Sequence, residues 1–423
     1  MDKRVASVIS TTTTEISSAR EKTRIQALDV IRGISILGIL AVNADGFAGP
    51  MSASLKPLYW PFPNEGWTAI SYWVMDAFFH EKFVALFSML FGVSLFLVGG
   101  ERSDKERSRI LRRRLLVLLA FAMLHGFGLW WGDILSLYAI TGFVMFFFRS
   151  WSPRALMLIG LVLFGLTLLR DLPPAVNSTE ARRIGAESAV SIERQQSAND
   201  ARKAAVANDI AEAKSSLAGA YRVNARSYLR LLKGDLSLIP STLSLMMIGL
   251  SLFKSGFLSA RSANRRYGTV IALGMAALFV VAFLTWRQDV VGSPIWDGDF
   301  LERTLAPLIS LAYAAILILL LRSGGRATSM LGLFAATGRM AFTNYLMQSL
   351  IMTSIFYGGR GALMGEVDRP ALWGIVFGIW ILQMTWSPLW LSRFEMGPFE
   401  WGWRCLTHGR RIPFLKHGIP TST

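Results

Sequence analysis

His125 and Asp133 lie eight positions apart, around the turn between two apolar runs, and their side-chain types could move a proton. A neutral imidazole acts as a general base toward a hydroxyl or an amine. A carboxylate across a short loop can orient the ring or supply its counter-charge. His125 falls six residues before Trp131, roughly 9 Å below the expected outer interface at helical rise. The competing reading is a histidine that packs between helices and hydrogen-bonds a carbonyl. Asn43 and Asp45 end the first apolar run on the same outer side, and His80 and Glu81 precede the second.

A second group belongs to the opposite side. Leu28-Asp29-Val30-Ile31-Arg32-Gly33 joins a basic tail to the first apolar run. Asp29 and Arg32, three apart, share one helix face and can pair. Arg339 starts the ninth run, and Glu400 and Arg404 lie in the tail. Guanidinium groups donate in a planar fork that suits phosphate, so a cytoplasmic ligand with phosphates, such as a coenzyme A thioester, would be held there. Structural ion pairs closing the bundle end would explain the same residues. Within the ninth run, Asn344 and Gln348 are four apart and share a face, either lining a polar passage or tying two helices together. Arg222, Arg226 and Arg230 form an i, i+4, i+8 stripe, read first as a solvated face and second as a contact for an anionic acceptor or head groups.

The elements that would position these residues are membrane helices. The chain has 423 residues, 52% hydrophobic and 17% charged, against about 25% charged in an ordinary soluble domain. Its mean hydropathy is +0.42. Ten apolar runs of bilayer-spanning length occupy 28–44, 83–99, 112–131, 133–149, 154–170, 236–254, 267–286, 304–322, 332–355 and 371–391. The fold class expected is therefore all-α, a polytopic membrane protein of about ten transmembrane helices. Continuous runs exclude a β-barrel, whose strands alternate in polarity.

The net charge of +16 does not point to nucleic acid. Segments 101–114 and 254–266 are rich in Arg and Lys, whereas 45–66 has only Lys56 and 287–303 is balanced by acid. This alternation is the positive-inside pattern, and it places both termini on the cytoplasmic side, in contact with anionic lipid. The first run has a basic flank but no clean small-residue cleavage site, so it reads as a retained helix. Most tryptophans, among them Trp60, Trp130 and Trp131, fall near span ends and read as an aromatic belt. One Cys405 and four scattered histidines give neither a disulfide framework nor metal-ligand spacing. No tightly bound cofactor or metal is expected.

Along the chain, 1–24 reads as a disordered Ser/Thr-rich cytoplasmic tail and 25–170 as an N-terminal bundle of five spans. Residues 67–82 read as an interfacial helix or an extension of the second span. Residues 171–235 form an extracytoplasmic helical insert, with breaks marked by Gly185, Gly219 and Gly234. In it Ile210, Ala213, Leu217, Tyr221, Asn224, Tyr228 and Leu231 make a weakly apolar stripe. Residues 236–407 carry the last five spans, and 408–423 a basic cytoplasmic tail.

Gly338-Arg339-Met340-Ala341-Phe342-Thr343-Asn344-Tyr345-Leu346-Met347-Gln348-Ser349 and Gly397-Pro398-Phe399-Glu400-Trp401-Gly402-Trp403-Arg404-Cys405-Leu406-Thr407 closely resemble blocks of the YeiB-like bacterial inner-membrane family. So do Lys82-Phe83 with Leu90-Phe91-Gly92, and His125 followed by Gly132-Asp133-Ile134-Leu135 and Tyr138. The family's C-terminal half is a domain of unknown function, numbered 418. The first span also looks like that of a wider superfamily of transmembrane acyltransferases, which includes sugar O-acyltransferases and the lysosomal heparan N-acetyltransferase. That likeness implies transfer of an acyl group from cytoplasmic acyl-coenzyme A, as co-substrate, to an acceptor across the membrane. Several branches carry a histidine near the outer end of the first span, where this chain has Asn43, so the catalytic base is expected at His125 instead.

The expectation is an acyltransferase acting on an extracytoplasmic sugar or envelope glycan, with His125 as base, Asp133 as its support and Asn43 as an oxyanion donor. Asp29, Arg32, Arg339 and Arg404 would hold the acyl donor. Asn344, Gln348, Asp45 and His80 would line a substrate site or polar pathway. The alternatives are a transporter of a small polar or lipid-like solute, built from the same polar residues, and a non-catalytic envelope protein. A transporter would be favoured by internal repeats, and none is evident by inspection.

Overall fold

The computed structural model describes residues 3–54, 56–172, 188–293 and 298–416. Its helices are α1 (Lys3–Ala48), α2 (Gly66–Phe78), α3 (Lys82–Gly99), α4 (Lys105–Gly128), α5 (Leu135–Met145), α6 (Pro153–Arg170), α7 (Ser188–Ser215) and α8 (Leu217–Lys254). They continue with α9 (Asn264–Asp289), α10 (Gly298–Ser323), α11 (Gly325–Arg339), α12 (Ala341–Phe356), α13 (Arg369–Arg393) and α14 (Pro398–His408). Among the described residues the β-structure is one isolated bridge, Phe394 to Leu415, where the tail folds back on the end of α13.

Among the described residues, seven segments are long and apolar enough to cross a membrane: Gln26–Ala48, Gly66–Gly99, Pro153–Arg170, Leu217–Lys254, Asn264–Asp289, Gly298–Ser323 and Arg369–Arg393. Three of the ten expected runs differ, each for a visible reason. The third run lies in α4, whose first half carries Arg107, Arg109, Arg112, Arg113 and Arg114. The fourth is only the 11-residue α5, about 16 Å long at helical rise. The ninth is two helices, α11 and α12, parted at Met340. At the N-terminus, α1 begins at Lys3, so the segment expected as a disordered tail continues the first helix. Lengthening an existing helix needs no new nucleus.

The insert also differs in its breaks. Gly219 and Gly234 both lie inside α8, a single helix running from the insert through Pro240 into a candidate span. The break falls at Ser216, whose side chain caps α8 by accepting from the Gly219 N–H at 3.0 Å. Gly185 lies outside the described residues. The expected apolar stripe has a buried centre at Ala213, Asn224 and Tyr228. Arg222 and Arg226 pair with Glu212 at 2.9 and 2.6 Å on the exposed face, as a solvated stripe does.

Two glycine crossings hold the interior together. A Cβ on Gly33 would lie 1.9 Å from the Phe334 carbonyl oxygen, and one on Gly338 would lie 1.9 Å from that of Asp29. α1 and α11 therefore meet backbone to backbone, and the glycine of Leu28–Gly33 is a packing residue. α3 and α8 repeat the device, with Gly92 against Met246 and Gly249 against Met89. Such small-residue contacts let membrane helices approach closely where no hydrophobic force drives them together.

Candidate active site

α4 ends at Gly128, and α5 starts at Leu135 after a short turn that carries Asp133. This turn sets His125 Nδ1 2.9 Å from Asp133 Oδ1. The second carboxylate oxygen accepts from the Ser136 N–H at 2.8 Å, in the first turn of α5. Ser136 Oγ in turn lies 3.4 Å from Asp235 Oδ2 on α8. The other ring nitrogen, His125 Nε2, lies 2.8 Å from Ser349 Oγ on α12. His125, Asp133 and Ser349 are each at most 2% exposed. With a carboxylate on Nδ1, the neutral ring carries its proton there, and Nε2 is left to accept from the serine hydroxyl. The expected pair is thus present, and a serine completes a hydroxyl–imidazole–carboxylate line.

The remaining outer-side residues separate into other contacts. Asp45 pairs with Arg369 at 3.1 Å in a buried contact, and Arg369 also lies over the rings of Trp60 and Tyr72. His80 Nδ1 lies 3.3 Å from both Asp76 and Glu302. Lys82 Nζ lies 2.5 Å from Glu302 Oε1 and completes that cluster. Donor atoms of Asp76, His80 and Glu302 fall within 4.8 Å of one another, a grouping the sequence spacing did not reveal, and Lys82 supplies positive charge beside them. Asn43 is half-buried on α1, and the His125 nitrogens are taken by Asp133 and Ser349. The single outer cluster expected from the sequence is therefore three groups, because Asp45 is drawn to Arg369 and His80 to Asp76 and Glu302, while His125 is held by Asp133 and Ser349. Trp60, Trp130 and Trp131 are buried; rather than forming part of a lipid-facing belt, Trp130 stacks on Phe47 at 3.9 Å.

Asn344 and Gln348 act as ties. Asn344 Nδ2 donates to the Thr337 carbonyl at 3.1 Å and to Ser387 Oγ at 3.0 Å, and its Oδ1 accepts from Trp386 Nε1 at 3.0 Å. Gln348 Nε2 donates to the Ile36 carbonyl at 3.2 Å and to Gln383 Oε1 at 2.9 Å. These bonds join α12 to α1, α11 and α13. A passage would need the same groups free.

At the other end, Asp29 and Arg32 pair at 2.9 Å. Arg32, Arg114, Arg339 and Arg404 line one cavity of about 340 Å³. Its interior is apolar, with Ile36, Phe87, Phe91, Leu115 and Leu118 among the lining, and it reaches Tyr345 and Ile134. The Tyr345 ring lies 5.0 Å from that of His125. Arg339 already donates to the Glu395 carbonyl at 3.0 Å, and Arg114 lies 3.9 Å over the Trp403 ring. Arg114 is a lining residue that the sequence did not single out, because its run of arginines reads there only as a topology signal.

The two C-terminal sequence blocks meet at this mouth. Glu400 Oε1 accepts from the N–H groups of Phe342 at 2.8 Å and Thr343 at 3.1 Å, and Oε2 accepts from Thr343 Oγ1 at 2.5 Å. An acid from α14 thus caps the first turn of α12, where N–H groups lack intrahelical partners. Burial raises the Glu400 carboxyl above its ordinary range, and the hydrogen bonds from Thr343 and the backbone pull it back. Gly397 leaves the room, since a Cβ there would lie 2.2 Å from Glu400 Oε2. Glu400→Ala is expected to cost about 1–2 kcal/mol, read as a lower melting temperature in detergent, with Glu400→Gln losing less.

Residues 252–410 match the family model described as Protein of unknown function (DUF418). The chain is 32% identical over 409 residues to the uncharacterised protein YxaH of Bacillus subtilis (strain 168), covering 93% of this chain and 96% of that one. It is 30% identical over 396 residues to the uncharacterised protein YeiB of Escherichia coli (strain K12), covering 90% and 95%. A 39.9 kDa protein encoded in an amylase 3′ region of Bacillus acidopullulyticus is 24% identical over 403 residues, covering 93% and 96%. No solved structure matches the chain.

Proposed function

The chain belongs to the YeiB-like membrane-protein family, and from that premise we propose that it is a multi-pass inner-membrane acyltransferase. In this reading both termini are cytoplasmic. A cytoplasmic coenzyme A thioester donates the acyl group, and a sugar or envelope glycan on the far side accepts it. The observation that carries the reading is the cavity that begins at four arginines, continues apolar, and ends where Tyr345 lies against His125. Arginine forks suit the phosphates of coenzyme A, an apolar interior suits an acyl or pantetheine arm, and a buried imidazole backed by a carboxylate suits proton removal from a hydroxyl or amine.

A transporter would share one feature, the interruption between α11 and α12, since broken helices form many transport sites. Here Glu400 caps that interruption and Asn344 spans it, which favours a fixed support over a moving gate.

Acetyl-coenzyme A and longer thioesters should raise the melting temperature of the detergent-purified protein, whereas free sugars and amino acids should not. Arg404→Ala should weaken thioester binding about ten- to a hundredfold, the scale of one lost charge-assisted hydrogen bond. Equal binding by wild type and variant would remove the mouth from the donor site.

A further inference from the structure

We propose that Ser349 is the nucleophile of a two-step transfer, and that the chain carries the acyl group as a serine ester between donor and acceptor. This rests on the acyltransferase reading above and adds the covalent step to it.

The geometry around Ser349 departs from what serine normally does in a membrane helix. A buried helical hydroxyl usually bonds back to the carbonyl three or four residues earlier. Ser35 does so to Ile31 at 2.7 Å, Thr353 to Ser349 at 2.8 Å and Ser88 to Val84 at 2.8 Å. Ser349 is 3.4 Å from its own back-bonding partner, the Tyr345 carbonyl, and 2.8 Å from His125 Nε2. The hydroxyl is thus aimed at a base on another helix. That base is oriented by Asp133 through Nδ1, and Asp133 is held by the Ser136 N–H. A hydroxyl, a base and a group that orients the base, each within hydrogen-bond reach of the next, form the arrangement that activates a serine. Helix packing alone would ask only that the histidine reach a carbonyl.

Tyr345 stands between this line and the cavity. It borders the apolar end of the cavity and lies one helical turn before Ser349, with its ring beside the imidazole. A thioester carbonyl brought up the cavity meets Tyr345 first, and displacement of that ring opens the way to Ser349.

The step balances without a further reagent. Ser349 Oγ bonds to the thioester carbonyl carbon as its proton passes to His125 Nε2. The tetrahedral adduct collapses, the carbon–sulfur bond breaks, and the thiolate leaves and takes the proton from the imidazolium. In the second half, the acceptor hydroxyl or amine gives its proton to His125 and attacks the serine ester. Ser349 Oγ leaves and recovers the proton. His125 serves both halves, and Asp133 holds the ring throughout.

The test uses the full-length protein in detergent with acetyl-coenzyme A and octanoyl-coenzyme A, each without acceptor. Intact-mass and peptide mass spectrometry should find one acyl group on the Ser349 peptide, with a matching burst of free thiol. Ser349→Ala should lose the adduct and slow thiol release roughly a thousandfold, while thioester-dependent thermal stabilisation persists. Ser349→Cys, which keeps a nucleophile of similar size, should carry the group as a hydroxylamine-labile thioester. If the wild type is stabilised by the thioesters but forms no adduct and releases no thiol until an acceptor is added, the covalent step is overturned while acyl transfer stands. If the wild type shows neither stabilisation by the thioesters nor thiol release, both fail together.

Discussion

His125→Ala is expected to abolish acyl transfer while the protein still inserts, folds and binds the thioester. Loss of a positioned general base typically costs about 10²–10⁴-fold in rate, or roughly 3–5 kcal/mol of barrier. The same change removes one partner each from Asp133 and Ser349. Asp133 keeps the Ser136 N–H and Ser349 retains the Tyr345 carbonyl nearby, so the folding penalty should stay near 1–3 kcal/mol. The two effects separate by measurement: thiol release reports the chemistry, and melting with and without thioester reports fold and donor site. A variant that melts normally and still transfers would remove His125 from the mechanism.

The largest stability loss is expected at Arg369→Ala. Arg369 and Asp45 are 2% and 4% exposed, and removing the cation leaves a buried carboxylate without its charge partner. Such a change typically costs about 3–5 kcal/mol. The guanidinium also contacts Trp60, Tyr72 and Asn64, so packing is lost with the charge. Adding Asp45→Asn should restore part of the loss, because a neutral amide tolerates the site better than an unpaired carboxylate. Melting of the single and double variants measures the coupling; strictly additive losses would mean that the pair contributes nothing as a pair.

His125 and Asp133 were legible in the sequence because both are conspicuous in apolar surroundings and lie close together along the chain. Ser349 was not, although it ends the Gly338–Ser349 block. Serine is ordinary in membrane helices, and its partner is 224 positions away. Asp45 and His80 looked like neighbours of His125 because an expected topology gives a side of the membrane but not a partner. Their partners, Arg369 and Glu302, come from distant segments. The all-helical class followed from the length of the apolar runs. The interruption at Met340 did not, since Thr337-Gly338-Arg339 before it do not by themselves end a run and the residue that stabilises the new helix start, Glu400, lies far along the chain.

That long-range cap has a consequence for the order in which the protein can be completed. Glu400 is encoded 57 positions after Thr343, beyond the whole of α13. While the chain is being made, α12 forms with its first N–H groups unmatched by Glu400, and they stay so until α14 has left the ribosome. The helix bearing Ser349 is therefore finished by a residue made well after it, and the cavity mouth likewise waits for Arg404. A chain cut short before residue 400 would hold nearly every described span and still lack the contact that settles the start of α12.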